Sequence, residues 1–300
     1  MLEAIENDTP YAGVEKMRIR LGANVLPRFN RDTTDRNRTS PFAFTGNKFE
    51  FRMVGSSNSI ACANVMINAS VAESLRQFAD ALESAEDFDR CLHDLIRDTV
   101  KAHRRIIFNG NGYDDAWIEE ATKERGLLNL RTTPDALRPL LEEKNIHMLT
   151  SHKVYTESEL RSRYEIQLEN YVRTVRIEAL TMVDMARKDI LPAVVGYCEK
   201  LLCSIERKKT VGGAVSYGYE TRTAGRLSTL ADRIDEAVSV LENTVKTLDS
   251  LGDYAAEGDY TRDEVLPKMA ELRAFCDEAE TLTSAEYWPF PTYGDLLFGV

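Results

Sequence analysis

The stretch TESELRSRYEIQLENYVRTVRIEALTMVDMARKD (156–189) decides the fold of this chain, because it predicts one unusually long helix. Its apolar residues recur at spacings of three and four, which is the period of one helix face. Thr156 and Glu159 have the spacing of a capping box, and Pro192 predicts a kink or the start of the next helix. At the rise of an α-helix this segment spans about 50 Å. Its predicted buried stripe consists of Leu160, Tyr164, Leu168, Tyr171, Val175, Ala179 and Met182.

Two further helices follow in the C-terminal half. Apolar residues at near-heptad spacing predict the second helix over about 223–251, with Gly252 after it, and a third from about Thr261 to Leu282. The Gly- and Tyr-rich segment TVGGAVSYGYET (210–221) lies before the second helix and predicts a loop. Because the heptad pattern lasts for only about three repeats, it favours an antiparallel hairpin or bundle over an extended coiled coil. The predicted core positions of the second helix are Leu227, Leu230, Ile234, Ala237, Leu241 and Leu248.

The C-terminal tail, AEYWPFPTYGDLLFGV (285–300), is rich in aromatic and aliphatic side chains. Such a segment is too apolar to stay in water. It is therefore expected to dock, either on the core of its own chain or on a neighbouring subunit.

Before residue 70 the sequence predicts strands rather than long helices. The stretch MRIRLGANVLPRF (17–29) predicts an irregular strand, and PFAF (41–44) and KFEFRMV (48–54) predict two strands joined by a tight turn. In the last strand Phe49, Phe51 and Met53 are predicted to face a core, and the residues between them carry alternating charges. With helices over 71–84, 86–107, 114–125 and from about Thr133, the predicted class is α+β and predominantly α.

Charge and composition exclude several classes of function. The net charge of −11 argues against a general binder of nucleic-acid phosphates. No apolar run reaches the roughly 20 residues of a membrane span, and the first residues, MLEAIENDTP, are acidic rather than typical of a signal peptide. The five cysteines are scattered without a CxxC pair, which predicts reduced thiols. A cytoplasmic protein with no nucleic-acid or membrane partner is the expectation.

The first 52 residues differ in charge from the rest, with nine Lys and Arg against seven Asp and Glu. Clustered arginines suggest a pocket for a small anion, because the guanidinium binds carboxylate or phosphate oxygens in pairs. The same arginines could instead pair with Asp32, Asp35 and Glu50. The basic residues of 31–52 are Arg31, Arg36, Arg38, Lys48 and Arg52.

Glu50 and Arg52 form the most informative pair, since they lie two residues apart on one predicted strand face. Their spacing along the strand is roughly 6–7 Å. The two groups can therefore serve adjacent subsites, in which the carboxylate holds Mg²⁺ and the guanidinium holds an anionic substrate. Charged strand faces are common, so the pattern alone does not select a function.

Several motifs resemble those of type III glutamine synthetases. The strongest is DRNRTSPFAFTGNKFEFRMVGSS (35–57), followed by RIIFNGNGY (105–113), SRYEIQLENYV (162–172) and YWPFPTYGDLLF (287–298). The resemblance covers essentially the whole chain. It implies ligation of ammonia to glutamate with ATP through γ-glutamyl phosphate, and Mg²⁺ or Mn²⁺ as the metal.

The resemblance also implies roles for individual residues. Glu50 matches the carboxylate that holds one metal, and Arg52 matches the arginine associated with glutamate. Arg38 matches the arginine that faces the transferring phosphoryl group, and Lys48 lies where relatives have a basic residue near the nucleotide. Ala43 stands where many relatives have a second arginine, so that role is not carried over.

Other candidate residues are interpreted as structural. The four histidines, His93, His103, His147 and His152, are expected to be surface or core residues rather than metal ligands. FNGNGY (108–113) lacks the spacing of a phosphate-binding P-loop, and its glycines are expected to end one helix before the next begins at Asp114.

The resemblance implies a domain division and leaves two hypotheses for function. Residues 1–105 correspond to the C-terminal part of the catalytic domain with an incomplete sheet, and 106–300 to a helical domain with a docking tail. In the first hypothesis the chain is part of a glutamate–ammonia ligase, a C-terminal portion inactive alone, whose partners are other subunits of a homo-oligomeric ring. In the second it is a non-catalytic assembly module that binds synthetase subunits.

Overall fold

A computed structural model describes residues 2–11, 18–19, 29–30, 42–44, 49–52, 55, 59–108, 110–213 and 215–299. Its residues fall into two compact units. Unit 1 comprises Met1–Leu130 and His147–Thr156, and unit 2 comprises Arg131–Ile146 and Glu157–Val300. The described chain is predominantly helical with a few short strands, as predicted.

Unit 2 is built on helices α7 (Glu157–Met185), α8 (Leu191–Val211), α9 (Gly218–Leu248), α10 (Tyr254–Tyr260) and α11 (Leu266–Leu282). Helix α5 (Thr133–Leu137) and the 3₁₀ turn at Arg138–Leu141 pack on α7. The predicted stripe of α9 is confirmed, since every one of its six positions is buried in a single core. On α7 the predicted residues Leu160, Leu168, Val175 and Ala179 are likewise buried.

Two ion pairs show that α9 runs antiparallel to the continuous helix that α7 and α8 form. Arg187 binds Glu242 at 2.9 Å, and Arg176 binds Asp249 at 2.6 Å. As residue numbers fall on the first helix they rise on α9, which is the register of an antiparallel hairpin. Gly212 ends α8 with φ of 87°, a conformation that suits glycine and lets the chain reverse. The predicted hairpin or bundle is confirmed.

Pro192 and Pro267 do not break the long helices, because a π-turn precedes each of the two prolines. The amide of Leu191 donates to the carbonyl of Ala186, five residues back, and Pro192 follows in the first turn of α8. The amide of Leu266 bonds Thr261 in the same way, just before Pro267. Proline lacks an amide hydrogen and its ring clashes with the carbonyl four residues back, so one inserted residue relieves the conflict. Helix therefore continues from residue 157 to 211.

Several predicted boundaries need correction. The helix expected from Thr261 begins earlier, at Tyr254, because the Asp253 carboxylate caps it by accepting from the amide of Ala256 at 2.9 Å. Helix α9 begins at Gly218, inside the segment predicted as a loop.

Unit 1 combines small antiparallel strand pairs with helices. Strands β1 (Arg18–Ile19) and β2 (Phe29–Asn30) pair with each other, so the strand predicted over 17–29 is described only at its two ends. Strands β3 (Phe42–Phe44) and β4 (Phe49–Phe51) pair in the predicted hairpin.

The helices of unit 1 lie before and after these strands along the chain. Helix α2 begins about ten residues earlier than predicted. The elements are α1 (Leu2–Glu6), α2 (Ala61–Glu83), α3 (Phe88–Ala102), a 3₁₀ turn at Arg104–Ile106, α4 (Asp115–Glu119) and a π-turn at Glu120–Glu124, with α6 (Glu143–Ser151) divided between the units.

The aromatic tail divides into two parts. Trp288 and Phe290 are partly buried against the core of unit 2, so this part docks on its own chain. The last helix, α12 (Tyr293–Phe298), begins at a capping box between Thr292 and Asp295 and exposes its apolar side chains. Tyr293 and Phe298 are 85% and 80% exposed.

Candidate functional site

The β3–β4 hairpin positions Glu50 and Arg52. Glu50 lies at the centre of β4, opposite Ala43, and Arg52 follows the last strand residue. Phenylalanines alternate with Glu50 along this strand, and aromatic residues favour a β conformation. Glu50 is therefore part of a short antiparallel ladder, and Arg52 lies directly after its last residue.

Glu50 and Arg52 bind each other directly. Nη2 and Nε of Arg52 donate to Oε2 of Glu50 at 3.0 and 3.2 Å. The side chains are 20% exposed for Arg52 and 39% exposed for Glu50, so the pair is partly shielded from water. The two head groups are therefore in direct contact, which is the pairing that the sequence left open as an alternative, and their roles in neighbouring subsites remain a prediction. The spacing of the backbone is that of a strand, but long side chains close the gap.

The phenylalanine face of β4 differs from the prediction. Phe49 is 64% exposed and Phe51 is 44% exposed, whereas the charged face is the more buried one. The expected core contact of this face is wrong in the described chain. A two-stranded ladder offers no second layer by itself, and a strand face becomes a core only when another element packs on it.

The other predicted site residues lie outside the described residues. Arg38, Lys48 and the flanking residues Arg31 and Arg36 are in this group, as is Met53. Their roles remain predictions.

The described residues fit a metal ion only in part. A carboxylate has two oxygens and about four lone-pair positions, so Glu50 can accept from Arg52 and contribute one ligand to a hard cation. Within the described ranges there is no group of three or more His, Cys, Asp or Glu side chains that could hold a metal ion. Glu50 is therefore a candidate single ligand, not a complete metal site.

The described histidine contacts support a structural interpretation. His152 lies 2.8 Å from the Glu73 carboxylate through Nε2, and His93 lies 3.5 Å from Asp8. Hydrogen bonds from Arg76, Gln77 and His152 hold the pKa of Glu73 well below its usual value.

An arginine in unit 1 was not singled out by sequence reasoning. Arg125 donates through Nη1 to the carbonyls of Arg105 and Ile107 at 3.1 and 3.0 Å, and its guanidinium lies 4.8 Å from the ring of Trp117. Trp117 stacks on Phe108 with 3.7 Å between ring centroids. The cluster orders the segment around FNGNGY, and Asp114 caps α4 by accepting from Ala116. The next helix begins at the Asp114 cap as expected, but the glycines of the segment do not end a helix, because α3 ends at Ala102 and the 3₁₀ turn at Ile106.

Comparison with known proteins shows that the chain is similar to glutamine synthetases. Residues 91–209 match the family described as "Glutamine synthetase C-terminal domain". The chain is 36% identical over its whole length to a glutamine synthetase of Butyrivibrio fibrisolvens, of which it spans 43%. It is 33% identical over 93% of its length to a type-3 glutamine synthetase of Dictyostelium discoideum, and 34% identical over 95% to a glutamine synthetase of Bacteroides fragilis (strain YCH46).

The chain spans 39% and 40% of the latter two relatives. Among the described residues, no helix is both long and apolar enough to cross a bilayer. The region matched by the family runs from α3 through α8 and so includes helices of both units. The chain is therefore similar to glutamine synthetases, including a type-3 enzyme, over 93–100% of its length, and its residues 91–209 match the C-terminal domain of that family.

Proposed function

We propose that this chain works as part of a type III glutamine synthetase, which ligates ammonia to glutamate with ATP through γ-glutamyl phosphate. The observation that carries the proposal is the partly shielded Glu50–Arg52 pair, which lies in the segment most like the family signature. A positioned carboxylate and guanidinium suit phosphoryl transfer, because such catalysis works mainly by positioning and charge neutralisation.

Each site residue has a distinct proposed role. Arg52 binds a carboxylate of glutamate, since its planar fork matches a carboxylate in two hydrogen bonds. Arg38 faces the transferring phosphoryl group, and Lys48 lies near the nucleotide. Glu50 holds Arg52 in place and provides one oxygen ligand for Mg²⁺ or Mn²⁺. The bound metal would neutralise charge on the nucleotide phosphates.

The chain by itself is proposed to be inactive. One metal carboxylate and two arginines do not form a complete site, so further ligands must come from other residues or subunits. A homo-oligomeric ring of synthetase subunits is the proposed partner. The five cysteines are free thiols, and the proposed compartment is the cytoplasm.

A second candidate function is assembly without catalysis. The observation that favours it is the exposed apolar surface of α12, where Leu296 and Leu297 are 66% and 74% exposed. Contiguous exposed apolar side chains often mark a protein contact. In this case the chain would bind synthetase subunits through its tail, and Arg52 would have no effect on turnover.

Substitutions of Arg52 and of Glu50 in the protein from its native source test the proposal. Arg52→Ala is expected to lower kcat/KM for glutamate by about 10- to 100-fold, the value of a lost charged hydrogen bond. Glu50→Gln should instead raise the concentration of Mg²⁺ needed for half-maximal activity. Arg273→Ala, at a position 75% exposed, is the control and should change neither. Unchanged glutamate and metal dependence in both site variants would overturn the proposal.

A further inference from the structure

Helix α8 forms one wall of a groove in unit 2 that the proposed reaction does not use. Its volume is about 620 Å³, which lies within the range of small-molecule sites. The groove runs along α8 and reaches the segment after it and the start of the tail. The lining residues that matter are Glu199, Lys200, Ser204, Arg207, Val211 and Tyr287.

Three cationic residues line this groove, and two of them, Lys200 and Arg207, lie on the same face of α8. Lys200 and Arg207 are seven residues apart, which places them two turns and about 10 Å apart along the axis. Both are exposed, and within the described part of the chain neither side chain forms an ion pair. Lys208, in contrast, binds Glu220. Two cations without carboxylate partners in one groove are available to bind an anionic ligand.

The far wall of the groove is aromatic and held in place. The centroid of the Tyr287 ring lies 5.4 Å from that of the Tyr197 ring, so Tyr287 packs against a second aromatic ring. Gly196 faces the same ring, and a side chain there would meet it at 3.7 Å. Val211 and Val215 extend the apolar surface. This wall suits a flat, partly apolar body.

We propose that this groove binds a nucleoside diphosphate, independently of the synthetase site. The long side chains of Lys200 and Arg207 can converge from two sides on a pair of adjacent phosphate groups, with the Ser204 hydroxyl between them. The base would lie against Tyr287, and the Glu199 carboxylate would accept from the hydroxyls of the ribose. One groove thus offers complementary chemistry to each part of the ligand.

Cys203 provides a direct readout, because it is exposed and lines the same groove. The rate at which iodoacetamide alkylates Cys203 is measured by peptide mass spectrometry on the full chain, with EDTA present to suppress metal-dependent nucleotide binding elsewhere. Cys62, exposed in unit 1, is the internal reference. ADP at about twice its Kd should slow alkylation of Cys203 about threefold and leave Cys62 unchanged. Adenosine and inorganic phosphate should protect far less.

Variants separate the groove from general charge effects. Lys200→Ala with Arg207→Ala should abolish the protection by ADP, and Tyr287→Leu should weaken it. Lys188→Ala with Lys246→Ala removes the same charge from unit 2 outside the groove and should leave protection intact. The proposal is overturned if about 10 mM ADP fails to protect Cys203. It is also overturned if phosphate protects as well as ADP, or if the first double variant is protected like the wild type.

Discussion

Leu241 illustrates how single residues hold unit 2 together. It is fully buried in the stripe of α9, next to Val240, which is 38% exposed on the same helix. Leu241→Ala should lower the free energy of unfolding by about 2–5 kcal/mol, because it removes buried methyl groups and leaves a cavity. Val240→Ala should cost less than about 1 kcal/mol. Urea denaturation followed by the fluorescence of Trp288 measures both, and equal losses would contradict the assigned core.

Glu73 contributes to the acid response of unit 1, because its pKa is lowered in the folded state. Hydrogen bonds, the largest from Arg76, lower its pKa in the folded state below the ordinary 4.5. A lowered carboxyl pKa stabilises the fold above pH 4.5, and this contribution is lost as the pH falls through the folded-state pKa. Unit 1 should therefore lose stability below about pH 4.5.

Glu73→Gln should reduce that acid sensitivity of unit 1. The effect is measured by urea unfolding at about four pH values between pH 3 and 7. The fluorescence of Trp117 follows unfolding in a Trp288→Phe background. Glu83→Gln removes the same charge from the same helix and is the control. A pH profile that Glu73→Gln leaves unchanged, or that Glu83→Gln changes equally, would refute the assignment.

The candidate site shows what single residues allow to be predicted. Alternation along the hairpin was enough to place Glu50 and Arg52 on one strand face. Their direct contact was one of the alternatives, but spacing alone cannot decide it, because it depends on side-chain rotamers. The exposure of Phe49 was not predictable either, since it depends on what packs over the strand.

At the scale of elements, the C-terminal tail (285–300) consists of two parts that differ in what they contact. Trp288 packs on the core of unit 2, whereas α12 exposes its apolar residues. Removing residues 292–300 should therefore change the free energy of unfolding of unit 2 by less than about 0.5 kcal/mol. Trp288→Ala should lower it by about 2–4 kcal/mol, somewhat below the cost at a fully buried site.

Thermal and urea unfolding followed by circular dichroism compare the two tail variants. Trp288→Phe, which keeps an aromatic ring in place, is the matched control and should lie close to the wild type. A truncation more destabilising than Trp288→Ala would show that α12 belongs to the fold of unit 2.

The extents of helices show where sequence patterns fail. Apolar spacing correctly located the buried faces of α7 and α9. Boundaries depended on contacts that the pattern does not contain. Pro267 did not prevent helix before it, because the π-turn at Thr261–Val265 accommodates it, and the Asp253 cap moved the start to Tyr254.

At the scale of the whole molecule, the two units differ in the size of the cores that their described residues form. The main cluster of buried apolar residues lies entirely in unit 2, from Val172 to Ala279. In the described part of unit 1, the buried apolar residues are Ala69, Ala121 and Leu149. Burial of apolar area is the main source of stability, so unit 1 should unfold first.

Each unit carries one tryptophan, which makes the order of unfolding measurable. Trp117 reports on unit 1 and Trp288 on unit 2. In urea, the Trp288→Phe variant should show a lower midpoint by fluorescence than the Trp117→Phe variant, while circular dichroism shows both transitions in each. Coinciding midpoints, or a lower midpoint for Trp288, would contradict this order.

The division into a strand-bearing N-terminal part and a helical C-terminal part could be predicted from periodicity. The units differ from the predicted division at residue 105, because residues 106–130 cluster with unit 1 and 131–146 with unit 2. Such clustering depends on contacts between distant residues, such as Arg138 with Asp259 at 2.6 Å. The domain assignment by family remains a proposal.

The most direct test of the central claim is glutamine formation from glutamate, ammonia and ATP by the protein from its native source, with the mass of the active species determined on the same sample. Activity is expected in a species heavier than 33.9 kDa, with kcat/KM for glutamate lowered about 10- to 100-fold by Arg52→Ala and unchanged by Arg273→Ala. A single 33.9 kDa chain that forms glutamine at the same rate with and without Arg52 would contradict it.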